Sequence, residues 1–542
     1  MRRCCQTSLI PILGVLAAQV LASEPDAELP NPADLEARNA VIGEVILVRS
    51  DVFDLSSPDE NKWLYRWANR LHIVTREKTI SEQLLFRTGD LYKKRELEES
   101  ERILRRNKFL YDAHIVPSHV DNGIVDLTVN TRDVWSISPE LSIARSGGEN
   151  RTRYGIEEHN LLGRGQRVRF IRDDGVDRSE STIEYADRYI GSHHISGLLR
   201  YSDNSDGDAY LLSIERPFYA LDTRWSAGGS ILGDDRRTPM YAFGEEAAEY
   251  RHQRDAFYLY KGWSKGLRDG RAQRWTMGVA LDDNRFSEVN NPTLPAVVPD
   301  DRKLVYPYLG FELVEDKYVK GTNRDQINRT EDFQTGLRLN ASLGWADTSF
   351  GSDRDALVYS ASSSRGFGSF EHKMLLLFAS ASGRLEAGNS ANTRLKMHAR
   401  FYHAQSDKRL FFASISGTAG HDLDLDNQVA IGGNSGMRGY PLRYQVGESR
   451  LLATIEQRYY TDWYPFRLAR VGGAVFADVG QVWGPNPLGP DNRGWLSDVG
   501  FGLRLALTRV SDRVVHIDVA FPLNGDPTID SVQFLLESRR SF

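Results

Sequence analysis

The feature that most constrains the fold is an alternation of apolar and polar residues that begins near Val134 and continues along the rest of the chain. Apolar residues occupy every second position, and Arg, Lys, His, Asp and small residues fill the positions between them. Clear examples are the runs 337–345, 394–401, 501–507 and 515–521. Alternation in segments of about ten residues, sustained over ~400 residues, is typical of strands that face lipid on one side and a wet lumen on the other.

A soluble β-sandwich also alternates, but its strands are usually shorter and its polar face meets bulk water. A closed barrel satisfies every backbone group without an open edge, as hydrocarbon requires. At ~25 residues for each strand with its connection, residues 134–542 would hold roughly 16 antiparallel strands. Polar inserts rich in Gly, Asp or Pro, such as 203–207 and 291–295, suit solvent-exposed loops. We therefore predict an all-β transmembrane barrel over residues 134–542.

Composition agrees with an exported β-protein. The chain has 542 residues with 68 Lys and Arg against 74 Asp and Glu, and a net charge of -6. A nucleic-acid binder would show a basic excess, so we expect no nucleic-acid partner. Aromatic residues make up 10% of the chain, which favours strands over helix bundles. The polar average, a mean hydropathy of -0.45, argues against a helical membrane protein.

The N-terminus has the features of a secretory signal peptide. Arg2 and Arg3 precede an apolar stretch, and small residues around Ala22 suit cleavage before Ser23. We predict a signal peptide over residues 1–22 and a flexible Pro-, Asp- and Glu-rich leader over 23–39. The two cysteines, Cys4 and Cys5, lie before the apolar stretch, so the exported chain would contain no disulfide.

Residues 40–133 have a different pattern, which predicts a small α+β domain. Val41–Val48 reads as a strand, and Asp59–Leu71 and Lys93–Asn107 read as helices with one apolar side. Two further strands, 110–116 and 124–129, are joined through a turn at Asp121-Asn122-Gly123. The predicted order is β-α-α-β-β.

The sequence of this domain resembles a POTRA domain. The resemblance covers Phe86 to Trp135 and rests on Gly89-Asp90 and on an R-x-L-x-x-x-x-F-L pattern from Arg102. It implies one periplasmic POTRA domain at 40–133. An unrelated small α+β domain is the alternative.

A Gly-rich stretch, Gly432 to Pro441, contains a single arginine, Arg438. A later strand, Phe476-Ala-Asp-Val-Gly480, offers an acidic partner in Asp478. A guanidinium presents a planar fork that binds a carboxylate through two charge-assisted hydrogen bonds. Gly436 and Gly439 permit a tight tip around the arginine. We predict that the loop folds into the barrel and that Arg438 pairs with Asp478; the alternative is an arginine facing solvent at a loop tip.

These motifs, in this order, resemble the BamA/TamA superfamily of outer-membrane assembly and translocation proteins, which includes bacterial surface antigen barrels. In that family a POTRA-bearing part precedes a 16-stranded barrel, and the sixth extracellular loop folds into the lumen with a V/I-R-G-F/Y tip. Met437-Arg438-Gly439-Tyr440 matches this tip except for Met, and Phe476, Asp478 and Gly480 match the F-x-D-x-G strand.

Further positions carry the same resemblance. Glu158–Gly165 is similar to the N-L-x-G-x-G turn, Gly500–Arg504 to the G-x-G-x-R run, and Asp518–Leu523 to the penultimate strand. The resemblance implies that Gly433, Gly436 and Arg504 support the loop inside the lumen. It also implies that a terminal Phe542 serves as a C-terminal assembly signal.

The resemblance implies a non-enzymatic protein of the Gram-negative outer membrane that inserts or translocates proteins without nucleotide hydrolysis, with its N-terminal domain in the periplasm. Its partners would be unfolded outer-membrane or secreted clients, outer-membrane lipids and an accessory periplasmic subunit. Clients would enter at a seam between a strand near Trp135–Arg145 and the last strand. A single POTRA domain departs from BamA, which has several, and favours a specialised task.

Other classes of function remain as alternatives. The chief one is a passive or substrate-specific outer-membrane pore, whose barrel would alternate identically. We expect no catalytic residues, since no G-x-S-x-G elbow is present, and we expect no cofactor or metal. Asp422–Asp426 superficially resembles a calcium loop but lacks its Gly and Glu, so we interpret it as a solvated acidic segment. We interpret His193-His194 as a polar strand end.

Overall fold

The computed structural model describes residues 31–291, 293–321, 330–369, 371–465, 468–486, 488–489, 492, 494–507, 514–527 and 529–539. The predicted signal peptide, the first part of the predicted leader and Phe542 lie outside the described residues. Two bodies follow one another along the chain: a small α+β domain and a barrel.

The N-terminal domain is built on a three-stranded sheet. Its elements in chain order are α1 (Pro32–Ala37), β1 (Val41–Ser50), α2 (Trp63–Leu71), α3 (Glu77–Ser81), α4 (Lys94–Arg105), β2 (Leu110–Asp121) and β3 (Ile124–Asp133). The strand order is β1-β3-β2, with β1 parallel and β2 antiparallel to β3. Alternate residues of β3 and one face of α4 form the core, which includes Leu104, Leu110, Val125 and Leu127.

The end of the predicted flexible leader is folded. Residues 32–37 form α1, because the Asn31 side chain accepts a hydrogen bond from the Ala33 N–H and Pro32 starts the helix. Leu35 is buried in the domain core, so the helix is held by packing. The sequence pattern also placed the start of α2 four residues too early and missed the one-turn helix α3.

The strands that follow are, in chain order, β4 (Ile137–Ser146), β5 (Glu149–Glu158), β6 (Arg167–Asp174), β7 (Ser179–Ile190), β8 (Ile195–Asn204), β9 (Gly207–Arg216), β10 (Trp225–Ala242), β11 (Glu245–Arg268), β12 (Arg271–Glu288), β13 (Arg302–Glu315), β14 (Tyr318–Gly321), β15 (Glu331–Gln334), β16 (Arg338–Ala346), β17 (Ala356–Gly368), β18 (Lys373–Glu386), β19 (Asn389–Ser406), β20 (Arg409–His421), β21 (Val429–Ile431), β22 (Gln445–Gly447), β23 (Ser449–Tyr460), β24 (Ala469–Trp483), β25 (Leu496–Leu507), β26 (Val514–Pro522) and β27 (Gln533–Arg539). The pairs β14–β15 and β21–β22 form separate hairpins, and the other strands close into one antiparallel barrel. Single turns of 3-10 helix occupy Leu161–Gly163, Gly191–His193, Thr348–Phe350, Leu425–Asn427 and Gly433–Ser435.

The barrel contains 20 strands among the described residues, so the prediction of about 16 is wrong. The error comes from the assumed connection length. At Asp269-Gly270 and Ala387-Gly388 the chain reverses within two residues, all four with positive φ, as in the tight turns of β-hairpins. Such turns leave about 20 residues for a strand with its connection, below the ~25 assumed for barrels of this kind.

The outer face of the barrel is apolar. Exposed side chains at alternate positions include Leu141, Phe170, Leu212, Leu309 and Phe501, while inward positions carry buried polar groups such as Asn284 and Arg302. The two ends differ: the second, fourth and later even-numbered reversals of the chain lie with the N-terminal domain, and we call that end the domain-side rim. Near it, Trp225, Trp263 and Trp275 stand on neighbouring strands in register. Such an aromatic belt is typical of a membrane–water boundary.

The wall is not equally strong all round. β10 and β11 are paired from Trp225↔Trp263 to Ala242↔Glu245. β27 and β4 close the barrel, yet among the described residues a single registered pair, Leu536↔Arg145, joins them. We call this junction the seam. In the described part of the chain, no helix is long and apolar enough to cross a membrane.

Candidate functional site

The long connection between β20 and β23, residues 422–448, lies inside the barrel against β24 and β25. Its β21–β22 hairpin and its tip contribute buried apolar side chains, and these pack on Val482 and Leu496 of the wall. The buried loop residues of this cluster are Leu423, Val429, Ile431, Met437, Tyr440 and Tyr444. The connection follows the fifteenth wall strand among the described residues, so it is the eighth reversal at its end of the barrel rather than the sixth. The four additional strands therefore precede it.

Arg438 lies at the centre of this site and binds Asp478 of β24 as a two-pronged fork. Its Nε donates to Asp478 Oδ2 at 2.7 Å, and its Nη2 donates to Asp478 Oδ1 at 3.0 Å. The guanidinium also lies 3.2 Å from the centre of the Phe476 ring. Thr454 donates to the same carboxylate at 2.7 Å. The structure thus brings together the arginine of the loop and the acidic strand, with an aromatic face beneath the charge.

Arg438 belongs to a larger buried network of charges. Glu456 of β23 accepts from Arg438 at 3.3 Å, from Arg458 at 2.8 Å and from Arg504 at 2.8 Å. Arg504 also donates to Asp518 of β26. The network therefore joins the loop to strands β23, β24, β25 and β26. We call these residues the latch: Arg438, Glu456, Arg458, Asp478, Arg504 and Asp518.

Backbone and hydroxyl groups fix the residues that follow the arginine. The Gly439 N–H donates to Asp498 Oδ2 at 3.0 Å. The Tyr440 hydroxyl lies 2.8 Å from the carbonyl oxygen of Asn524 and accepts from the Ser497 N–H at 3.1 Å. Tyr440 is buried, so these contacts replace water for its hydroxyl.

Glycines make room for this packing. A Cβ on Gly480 would lie 2.5 Å from Ile431 Cδ1, and a Cβ on Gly433 would lie 2.5 Å from Gly147 N, in the turn between β4 and β5. Gly436 has a φ of 109°, a conformation that favours glycine. The loop thus touches β24 on one side and the turn beside the seam on the other.

The acidic segment Asp422–Asp426 and the pair His193-His194 lie outside the latch. Asp424 is not solvated: its oxygens accept two hydrogen bonds of 2.8 Å from Arg384, and Arg302 lies 3.0 Å away. Lumen arginines therefore neutralise the acidic segment. His194 lies in a turn at the domain-side rim and stacks on Tyr219 at 3.7 Å. Among the described residues, no group of three or more His, Cys, Asp or Glu side chains is arranged to hold a metal ion.

Sequence reasoning missed a second site, where α4 docks across the domain-side rim. Glu99 accepts from the Leu221 N–H at 2.7 Å, and burial raises the pKa of its carboxyl. Arg105 forks onto Asp332 of the β14–β15 hairpin at 2.7 and 2.8 Å. Arg102 lies 4.2 Å from the Tyr318 ring centre of the same hairpin.

Two further residues complete this contact: Lys320 donates to Glu101 at 2.7 Å. We call the set Glu99, Glu101, Arg102, Arg105, Leu221, Tyr318, Lys320 and Asp332 the dock. No local pattern distinguishes these charged helix residues from those of a solvated helix, so no sequence signal could have found them.

The turn at 160–165 holds the domain from another side. Gly163 O accepts from the Arg76 N–H and from the Thr79 hydroxyl, both at 2.9 Å. Asn160 donates to the Thr75 hydroxyl at 2.8 Å. Thr75 in turn donates to Asp133, and burial raises the pKa of Asp133 to about 6. The glycine-rich turn motif noted in the sequence is thus a contact between the domain and the barrel.

Comparison with known proteins gives a remote likeness only. No family model matches the chain, and no curated protein matches it. Among solved structures, the chain is similar to BamA from Haemophilus ducreyi lacking POTRA domains 1–3, with 13% identity, a TM-score of 0.39, and 91% of this chain and 84% of that chain covered. It is also similar to CdiB from Acinetobacter baumannii, with 13% identity, a TM-score of 0.44 and coverage of 93% and 74%. For CdiB from Escherichia coli the identity is 14%, the TM-score 0.45 and the coverage 92% and 76%. At these scores the likeness adds no weight to the proposals below.

Proposed function

We propose that this chain is an outer-membrane protein that inserts or translocates other proteins, without an enzymatic step. The observation that carries the proposal is the loop fixed inside the lumen by the fork between Arg438 and Asp478. A passive diffusion pore needs an open lumen, whereas here a folded loop and a buried charge network occupy it. The sequence resemblance around these residues points to the same class of function.

The seam supplies the route in this proposal. The latch cross-links the wall from β23 to β26. The junction between β27 and β4 is weakly paired by comparison, because a single pair is in register among the described residues. Local opening costs the least free energy where the fewest contacts are lost. A client strand would therefore pair with the exposed edge of β4 or β27, and strand pairing alone would drive insertion without nucleotide hydrolysis.

The N-terminal domain would act as a single POTRA-like domain that receives clients in the periplasm. The two edges of its sheet differ. Side chains of α4 bind the edge of β2, where Glu101 accepts from the Ile115 N–H at 2.9 Å and Arg105 donates to Ala113 O at 2.8 Å. The edge of β1 carries exposed Ile46 and Val48. We propose that an extended client segment adds to this edge of β1.

A substrate-specific pore is the second candidate, because the lumen contains a cavity. Its volume is about 680 Å³, and it is lined by tyrosine and arginine side chains that include Tyr250, Tyr306, Arg254 and Arg302. The two candidates differ in what the seam does, since a pore works with a sealed wall.

Sealing the seam tests the proposal. Arg145→Cys together with Leu536→Cys places two cysteines on directly paired residues, within reach of a disulfide. Ser342→Cys with Ser360→Cys is the matched control, because this pair joins β16 and β17 elsewhere in the wall. We expect oxidation of the seam variant, and not of the control, to lower the levels of a set of outer-membrane or secreted proteins, with recovery on reduction.

Unchanged client levels after complete cross-linking of the seam would contradict the proposal. If uptake of small solutes also stayed unchanged in that variant, and fell when the cavity arginines were replaced, the pore would be the better account.

A further inference from the structure

Helix α2 carries an apolar face that the other described residues leave uncovered. Trp63 is 73% exposed and Trp67 is 57% exposed, and Leu64 and Leu71 are exposed beside them. At about 100° per residue these four side chains fall within one arc of about 100°. The opposite side is anchored, since Tyr65 is buried and stacks on Phe53 at 4.3 Å. The apolar face therefore points outward from a helix that is fixed to the domain.

The position of this face is set by the residues that follow it. The His72 ring lies 6.3 Å from the ring of Trp135, two residues before the start of β4. Arg76 donates to Leu162 O at 2.9 Å in the first turn of the domain-side rim, where Leu162 is exposed. β4 itself presents exposed Ile137 and Leu141 outward. Helix α2 is thus followed closely in the chain by residues that contact the start of β4, beside the seam, and the first turn of the domain-side rim.

The charges on α2 favour an anionic surface. Lys62, Arg66 and Arg70 are exposed, and the helix contains no acidic residue. On the helical wheel, Arg66 and Arg70 border the tryptophan side of the apolar arc. Tryptophan rings favour the membrane–water boundary, and basic residues beside them favour anionic headgroups.

We infer that α2 lies on the membrane surface at the domain-side rim, with Trp63 and Trp67 among lipid headgroups and with Arg66 and Arg70 facing anionic phospholipid. The helix then fixes the N-terminal domain to the lipid next to β4. This inference rests on the membrane location in the proposed function and does not depend on protein traffic through the seam.

Depth-dependent quenching tests the inference on the full chain. A fluorescent label is attached at Trp67→Cys, in a chain that carries Cys4→Ser and Cys5→Ser, and the protein is reconstituted in vesicles of phosphatidylethanolamine and phosphatidylglycerol. Ile124→Cys is the matched control, because Ile124 is also exposed but lies at the opposite end of the β2–β3 hairpin from the barrel. A label at Trp63→Cys provides a second variant if one position folds poorly.

We expect nitroxide-bearing lipids to quench the labels at positions 63 and 67 several-fold more than the label at 124, and an aqueous nickel complex to show the reverse order. The difference should shrink when phosphatidylcholine replaces phosphatidylglycerol or when salt is raised. Equal exposure of all three labels to the aqueous quencher would overturn the inference. Protection that appears only when a second protein is added would overturn it too, and would assign the face to a protein partner. Neither quenching measurement requires a client protein, so a negative result would overturn the placement of α2 without contradicting the role proposed for the seam.

Discussion

The latch and the dock are both built from arginine–carboxylate contacts, yet they differ in their access to water. In the latch, the Asp478 side chain is 0% exposed and Arg438 is 7% exposed. In the dock, Arg105 is 5% exposed and Glu101 is 9% exposed, but their partners on the barrel differ from the latch: Lys320 is 46% exposed and Asp332 is 16% exposed. Water and salt reach these barrel-side partners and do not reach the latch. We therefore expect the loop to be held to the wall more firmly than the N-terminal domain is held to the rim.

This difference fits the proposed function. A client that passes from the domain to the seam needs the domain to move and the barrel wall to persist. A buried charge without its partner is costly, so the latch resists opening, whereas partly solvated pairs cost little to exchange for water. We expect motion at the dock and at the seam, with the latch unchanged.

The largest effect is expected in the latch. Asp478→Asn removes the carboxylate that Arg438 binds as a fork and leaves three buried guanidiniums in the latch with two carboxylates, which should lower the free energy of unfolding by about 3–5 kcal/mol. The denaturant midpoint of the barrel, followed by heat-modifiable gel migration, measures the loss. Asp462→Asn is the control, because the Asp462 side chain is 82% exposed and its solvated contact with Lys408 should contribute little to stability. A latch variant as stable as this control would remove the distinction between the two regions.

A smaller effect is expected in the dock. Arg105→Ala breaks the fork on Asp332 and the contacts to Glu101 and Ala113 O, and should weaken docking by about 1–3 kcal/mol without unfolding the barrel. Faster cleavage between domain and barrel by a protease would report release of the domain. Arg95→Ala, at the half-exposed edge of α4, should change the cleavage rate much less. Raised salt should accelerate cleavage of the unaltered chain, and indifference to salt would contradict a screened dock.

The smallest effect concerns pH. The pKa of Asp133 rises from 3.8 to about 6 on folding because the carboxyl is buried. The folded domain therefore binds more protons than the unfolded chain between these values, so its stability falls as pH rises through about 6. From about pH 5 to 7.5 the loss should be about 1 kcal/mol. Hydrogen exchange of the domain, corrected for the intrinsic rate, should show this slope, and Asp133→Asn should flatten it. Asp121→Asn, at the hairpin turn, should keep it.

The barrel and the central pair of the latch could be predicted from the sequence, because short local patterns specify them. The alternation from Val134 specifies a closed barrel, and two short motifs contain both Arg438 and Asp478. The strand number could not be predicted in the same way, because it was estimated from one average connection length. Two-residue turns such as Asp269-Gly270 are much shorter than that average. The dock was missed because its partners are far apart in sequence: Arg105 and Asp332 are 227 residues apart. The local sequence around a charged helix residue does not indicate which distant segment will pack against it.

The measurement that most directly tests the account is the coupling between positions 438 and 478. Arg438→Glu and Asp478→Arg are made singly and together, and barrel stability is recorded with the surface levels of outer-membrane proteins. We predict that each single variant loses both properties and that the double variant recovers a part of both, because opposite charges again face each other in the buried site. Full stability and full client levels in all three variants would contradict the latch and its link to protein insertion or export.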